Sequence, residues 1–166
     1  IENTTFNQNY SKARGGALDT KTSGIVNVSN CVFYQNYTTD ASSDGCGAGV
    51  NLEYGNTVDK YPGLRGLVNI SDCRFEGNYT TVPTDGFDPR GGAVSIPSAG
   101  DSRENYIDVR IDRCSFKDNR ARQAGAIRCW TGKKADASLF INSCSFEGNH
   151  SYANNGLCIF IYDSKE

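Results

Sequence analysis

Five copies of a two-part motif, always in the same order, narrow the fold of this sequence more than any other feature. The first part is Phe-X-X-Asn, and the second is a tetrad of mostly small residues. The spacing between successive copies of the motif suits one turn of a solenoid and is too short for a strand-helix-strand unit. The first parts start at Phe6, Phe33, Phe75, Phe116 and Phe146, and the tetrads start at Gly15, Gly47, Gly91, Ala124 and Asn155.

Apolar residues at alternate positions precede four of the five phenylalanines. A period of two predicts a strand with one buried face. We therefore predict an all-β domain over residues 1–166, with repeats at about 1–24, 25–66, 67–106, 107–137 and 138–166. Each repeat should supply one of these strands, a corner at Phe-X-X-Asn and a tetrad strand. The alternating stretches are Val26-Asn27-Val28, Val68-Asn69-Ile70, Val109-Arg110-Ile111 and Leu139-Phe140-Ile141.

Stacked repeats place equal positions above one another at about 4.8 Å. The phenylalanines should then form an internal aromatic column, and the corner asparagines a ladder of amides. A third column should arise from the cysteines two residues before four of the phenylalanines. Either buried thiols or disulfides suit this cysteine column, since the spacing permits a disulfide but parallel side chains disfavour it. The ladder asparagines are Asn9, Asn36, Asn78, Asn119 and Asn149, and the column cysteines are Cys31, Cys73, Cys114 and Cys144.

The paired motifs Phe-X-X-Asn and Gly-Gly-Ala-Ile/Leu/Val resemble the repeat of the polymorphic membrane proteins, a family of chlamydial surface adhesins. The resemblance covers nearly the whole chain. It implies a right-handed parallel β-helix of about five coils, similar to that of pectate lyases. In that family the β-helix is the passenger segment of a surface adhesin, and the same repeat resembles segments of other extracellular β-helix proteins.

Seven Asn-X-Ser/Thr sequons favour a secretory route, and thus an extracellular or cell-surface location. Asn27 and Asn69 alternate with inward residues, so both should face solvent, one above the other. Together with Asn3 they are the preferred sites for N-linked glycans. The weaker sites are the ladder members, whose amides should be engaged: Asn9, Asn36, Asn78 and Asn149.

The charge of the chain argues against two classes of partner. A net charge of −2 with 22% charged residues gives no general attraction to nucleic acid or anionic lipid. The sequence also lacks a run of about 18 apolar residues, so we expect no membrane span. Residues 103–134 nevertheless hold nine Lys/Arg against four Asp/Glu. This basic belt would either guide head-to-tail association, attract an acidic glycan, or simply be solvated.

Catalytic and cofactor chemistry is not expected. Of the tetrad-strand positions predicted to face outward, only Asp19 and Arg128 carry charge, and they lie several repeats apart. His150 occupies the position of three tyrosines in other repeats, which favours stacking over catalysis. The sequence has no Cys-X-X-Cys zinc motif, and its Gly-Gly pairs belong to the repeat. The outward positions are Ala17, Asp19, Gly49, Asn51, Ala93, Ser95, Ala126, Arg128 and Ile159.

Loops are the remaining candidates for binding. Segments 37–46 and 79–90 should lie beside each other, as should 53–66 and 97–106, and loops on a rigid scaffold often bind ligands. The alternative, given equal weight, is that these loops are insertions that the fold tolerates and that bind no ligand. Asp85 and Asp88 would either hold a cation or be solvated. Cys46 should be a thiol available to another molecule.

These features predict a secreted, glycosylated structural module without enzyme activity. Open ends of a solenoid are templates for another repeat, so the chain is either part of a longer solenoid or stacks end to end. Stacking would build a filament or a surface layer. The alternative is an adhesin passenger that binds a glycan or a host protein. A polysaccharide-active enzyme is a distant third.

Overall fold

The fold consists of parallel β sheets, as seen in a computed structural model of the 166-residue chain. The residues described are 1–12, 14–22, 24–39, 47–54, 66–81, 90–96, 105–131, 135–155 and 158–163. Within them the regular structure is β, with no α helix.

The strands form four sheets, numbered here in the order in which the chain passes through them. Sheet 1 contains β4 (Ile25–Ser29), β8 (Gly66–Ser71), β12 (Asn105–Asp112) and β16 (Ala135–Asn142). Sheet 2 contains β1 (Thr5–Asn7), β5 (Val32–Tyr34), β9 (Arg74–Glu76), β13 (Ser115–Lys117) and β17 (Ser145–Glu147). Sheet 3 contains β2 (Tyr10–Ser11), β6 (Tyr37–Thr38), β10 (Tyr79–Thr80), β14 (Arg120–Gln123) and β18 (His150–Asn155). Sheet 4 contains β3 (Leu18–Thr22), β7 (Val50–Tyr54), β11 (Val94–Ile96), β15 (Ile127–Thr131) and β19 (Ile159–Asp163).

Strands of neighbouring repeats pair in parallel and in register. Phe33, for example, lies opposite Phe6 on one side and Phe75 on the other. This arrangement is consistent with a parallel β-helix, because each repeat from the second onward adds one strand to each sheet. One detail differs from the sequence prediction. The Phe-X-X-Asn segment is not a bare corner, since its phenylalanine lies within a strand of sheet 2 and a short strand of sheet 3 follows its asparagine.

Residues in the left-handed backbone region turn the chain between sheets. One such residue ends the sheet 1 strand and another follows the sheet 2 strand in each repeat. Many are Asn, Asp or Gly, the residues that adopt positive φ at least cost. A third set opens the tetrad, and three of its four described members are glycine: Gly15, Gly47, Gly91 and Ala124.

Ala124 carries backbone strain that its counterparts avoid. Its φ is 54°, whereas Gly91 holds the same position at 68°. We expect Ala124→Gly to raise the free energy of unfolding by about 1 kcal/mol, because a left-handed conformation costs an L-residue about 1–2 kcal/mol. Urea unfolding of both proteins measures the difference. The matched control is Gly91→Ala, which should destabilise, since a Cβ there would lie 2.5 Å from the Val94 carbonyl oxygen. A variant Ala124→Gly less stable than the parent would contradict this account of the turn.

The hydrophobic core lies between the sheets and is built from inward positions of sheets 1, 2 and 4. The fifth tetrad corrects the sequence assignment. Ile159 pairs with Ile127 and packs on the core, so it points inward and not outward as predicted. The tetrad of the last repeat therefore ends at Ile159, one residue later than the sequence prediction. Its match to the motif is weak, and a shift of one residue in a strand reverses the face to which each side chain points.

Candidate functional site

The phenylalanines form one continuous stack through the core. Successive ring centroids lie 4.7 to 4.9 Å apart with interplanar angles of 3 to 9°. The three central rings, Phe33, Phe75 and Phe116, are fully buried, whereas Phe6 and Phe146 at the two ends are partly exposed. The aromatic column therefore fills the interior of the stack and leaves a ring face at each end.

The asparagine ladder runs beside the column and has a direction. In each step the backbone N–H and the Nδ2 of one asparagine both donate to the Oδ1 of the next, as from Asn36 to Asn78 at 3.0 Å each. From the second asparagine onward, Nδ2 also donates to the phenylalanine carbonyl of the preceding repeat, as from Asn78 to Phe33 at 2.8 Å. The hydrogen bonds between asparagines therefore all run from donor to acceptor toward the last repeat. Asn36, Asn78 and Asn119 are fully buried, and their hydrogen bonds satisfy them.

The cysteines of the predicted column lie above one another as thiols. The backbone N–H of Cys73 donates to the sulfur of Cys114 at 3.4 Å, and the Cys73 thiol donates to the Ser71 carbonyl at 3.1 Å. All six described cysteines are free, so the disulfide alternative is not formed among them. The physical reason is the parallel register, which points these side chains in the same direction.

Burial of a cysteine in sheet 4 links stability to alkaline pH. Burial raises the pKa of the Cys129 thiol from 9.0 to about 11. The folded chain therefore retains a proton that the unfolded chain releases, and this contribution is complete below pH 9 and is lost as pH rises to 11. We expect a loss of about 2 kcal/mol from this residue.

The variant Cys129→Val isolates this contribution. Urea unfolding at pH 8 and at pH 11 should show a shallower loss of stability in the variant than in the parent. The loss should not vanish, because burial also raises the pKa of the Cys31 and Cys158 thiols. Equal losses in variant and parent would contradict the assignment.

Three charged or polar positions on the outward face of sheet 4 are buried, which the sequence did not predict. Asp19, Asn51, Ser95 and Arg128 lie in register across the sheet, and all but Asp19 are buried. Asn51 Nδ2 donates to Asp19 Oδ1 at 2.8 Å, while Asn51 Oδ1 and Ser95 Oγ have no hydrogen-bond partner among the residues that the structure describes. Alternation identifies the face of a strand, but it cannot show whether other parts of the chain cover that face.

The preferred sequons lie on the outer face of sheet 1. Asn27 and Asn69 are opposite each other, and Asn69 Nδ2 donates to Asn27 Oδ1 at 2.8 Å. Asn3 is exposed at positive φ beside the first repeat. Among the weaker sequons, Asn36 and Asn78 are fully buried in the ladder, Asn149 is partly buried, and Asn9 is exposed at the ladder's first step. Glycosylation itself stays a prediction at each site.

A groove of about 610 Å³ on sheet 3 brings together residues that the sequence did not group. Its floor includes a stack of tyrosines, with Tyr37 and Tyr79 at 5.2 Å and nearly parallel. Arg120 continues that row, since it lies opposite Tyr79 in the neighbouring strand. Gln35 forms a wall of the groove and accepts a hydrogen bond from Gln8 at 3.1 Å. The recurrence of tyrosine after the ladder asparagine predicted the tyrosine row, but it did not predict that Gln35 and Arg120 join it.

His150 lies in the predicted row but does not stack on a tyrosine of another repeat. Arg120 lies between His150 and Tyr79 in sheet 3. The imidazole instead packs edge-on against Tyr152 of its own strand, with centroids 5.2 Å apart. The imidazole therefore does not continue the tyrosine stack, because the fourth repeat has arginine where the first three repeats have tyrosine.

Part of the basic belt is neutralised by ion pairs. Arg113 contacts Asp72 across repeats at 2.7 and 2.8 Å and also contacts Asp112. The hydrogen bonds from Arg113 hold the pKa of the Asp72 carboxyl below its usual value. Lys117 lies 3.3 Å from Glu147. By contrast, the described residues place no carboxylate within ion-pair distance of Arg120.

Several sequence predictions lie outside the described residues. They include Cys46, Asp85, Asp88 and most of the four candidate binding loops. Among the residues that the structure describes, no group of three potential ligands is placed to hold a metal ion. In the same part of the chain, no helix has the length and apolar character needed to cross a bilayer.

The chain was compared with family models, curated proteins and solved structures. None of the three comparisons finds a match. The resemblance to the polymorphic membrane protein repeat therefore rests on the repeat motif itself.

Proposed function

We propose that the chain is a secreted, glycosylated structural module that has no enzyme activity and stacks end to end with further copies of itself. Its winding would be that of a closed right-handed parallel β-helix of the pectate-lyase type, because crossovers between parallel strands are right-handed in nearly all proteins. A head-to-tail contact of this kind does not close and so produces a filament or a surface layer.

The direction of the asparagine ladder is the observation that carries this proposal. Asn9 donates into the ladder, and no described residue donates to its Oδ1. At the other end, Asn149 Nδ2 donates to the Phe116 carbonyl, and its other contact among the described residues is with the Cys158 sulfur at 4.0 Å. A second copy would therefore extend the ladder in one orientation only, with its Asn149 beneath Asn9.

The sheet 2 strands at the two ends are also compatible with this alignment. The same alignment would place the partly exposed Phe146 of one copy against Phe6 of the next, extending the aromatic column. In this alignment Glu147 of one copy lies opposite Asn7 of the next, since each directly follows the aligned phenylalanine. Like charges therefore do not meet at this position of sheet 2.

An edge-blocking proline tests the stacking. Val32 N donates to the Thr4 carbonyl, which leaves the N–H of Thr5 pointing away from β5 and toward the proposed second copy. Thr5→Pro removes that donor and adds a ring at an edge position, where proline is tolerated. Thr5→Val is the matched control because it keeps the N–H.

Sedimentation velocity and electron microscopy provide the measurement. The parent and Thr5→Val should form concentration-dependent fibres with an axial period of about 24 Å, five strand spacings. Thr5→Pro should remain monomeric. A parent that stays monomeric at high concentration, or a proline variant that assembles equally well, would remove the stacking proposal.

A second candidate function, adhesion through an acidic glycan, is favoured by the groove on sheet 3. The groove combines phenol and amide groups, which hydrogen-bond hydroxyls, with the exposed guanidinium of Arg120, which suits a carboxylate or sulfate. Binding of polygalacturonate to the parent and to Arg120→Ala, with Arg122→Ala as the control on the same strand, tests it. Adhesion requires saturable binding that falls at least tenfold in Arg120→Ala alone.

A further inference from the structure

The outer face of sheet 1 carries a row of four residues that leads from the sequons to an exposed aromatic ring. Asn27, Asn69, Arg110 and Phe140 lie opposite one another in successive strands. Phe140 is 59% exposed, so its ring is accessible to a ligand on this face. The guanidinium carbon of Arg110 lies 6.0 Å from the centroid of the Phe140 ring, within the range of a cation–π contact.

A groove of about 420 Å³ connects three of these residues, Asn69, Arg110 and Phe140. Asn69 and Ser71 line one end, Phe140 and Asn142 line the other, and Arg110 and Asp112 lie between them. Two strand spacings, about 10 Å, separate the row positions of Asn69 and Phe140. The groove therefore begins at a sequon asparagine and ends at an exposed ring.

We propose that Asn69 carries an N-linked glycan whose first sugars lie in this groove and pack against Arg110 and Phe140. Glycan transfer forms a bond between Asn69 Nδ2 and C1 of the first sugar and breaks the C1–O bond to its lipid pyrophosphate carrier, which leaves with the electron pair and takes up the displaced Nδ2 proton. The linked amide keeps one N–H, which leaves a donor for the hydrogen bond to Asn27. The apolar face of a pyranose covers the exposed ring, while its hydroxyls bond to Asp112, Asn142 and the guanidinium.

Asn27 is the natural comparison on the same face. It is exposed and forms part of an equivalent sequon, yet it does not line the groove and lies one strand further from Phe140. A glycan on Asn27 would extend into solvent. The two stacked sequons therefore differ in what their sugars contact, and this difference separates a docked glycan from glycosylation alone.

A double-mutant cycle tests the docking. The parent, Asn69→Gln, Phe140→Ser and the double variant are secreted from a glycosylating eukaryotic host, and peptide mass spectrometry measures occupancy at Asn69. In the presence of Phe140, loss of the glycan through Asn69→Gln should lower Tm by about 2–4 °C. With Phe140→Ser, the same loss should leave Tm nearly unchanged. Because Phe140 is exposed, its replacement should not prevent folding.

The control cycle replaces Asn69→Gln with Asn27→Gln, whose effect on Tm should not depend on Phe140. Equal effects of Asn69→Gln in both Phe140 backgrounds would overturn the docking. The inference depends on the secreted, glycosylated character in the proposed function, and the two can fail separately. Sugar on Asn27 with none on Asn69 overturns the inference alone, whereas no sugar on any sequon contradicts both.

Discussion

Asn78→Ala is expected to lower the free energy of unfolding by about 3–5 kcal/mol, because it breaks the ladder in its middle. The substitution removes the acceptor for both Asn36 donors and the donor to the Phe33 carbonyl. These groups are buried, and each buried polar group left without a partner costs about 1–3 kcal/mol. Urea unfolding followed by circular dichroism measures the loss.

The matched control for Asn78→Ala is Asn9→Ala at the first step of the ladder. Asn9 is exposed, and water can replace its side-chain hydrogen bond to Asn36. Its loss should therefore cost about 1 kcal/mol. Similar costs for the two variants would contradict a ladder whose stability comes from buried amides.

Phe75→Ala should have a comparably large effect, a loss of about 3–5 kcal/mol, because it removes the central ring of the aromatic column. Phe75 is fully buried between Phe33 and Phe116, at centroid distances of 4.7 and 4.9 Å. Its removal leaves a cavity and ends the stacking on both faces. Since contacts in a repeat protein are made between neighbours, the break should also lower cooperativity between the two ends.

Hydrogen exchange resolves that second effect of Phe75→Ala. Amides of β5 and β13, on either side of the missing ring, should lose protection more than those of β15. Phe6→Ala is the control, because Phe6 stacks on one ring only and is partly exposed. An equal loss of stability in both variants would show that the buried middle of the aromatic column does not stabilise the core more than its exposed end does.

The parallel, in-register strands could be predicted from the sequence because repeats with the same sequence pattern adopt the same local structure. Residues such as Phe33 and Phe75 occur in the same local pattern 42 positions apart, so they occupy equal environments wherever the repeats stack. The alternation of Val68, Asn69 and Ile70 likewise determines which side chains enter the core, since neighbouring residues of a strand point to opposite faces.

Other features were decided only by the tertiary structure. Ser95 and Arg128 alternate with core residues exactly as surface residues would, yet both are buried. The groove between Asn69 and Phe140 joins strands that are far apart in sequence and depends on their register. The fifth tetrad was aligned wrongly because its motif is weak, and only its pairing with Ile127 settled the alignment.

The sequence by itself determined which residues repeat and which face of each strand is apolar, because both follow from local spacing. Only the tertiary structure decided which outward faces are covered and which side chains of different repeats meet in a groove. The physical reason is that the burial of an outward side chain depends on contacts with residues of other repeats. The local sequence around that side chain does not contain this information.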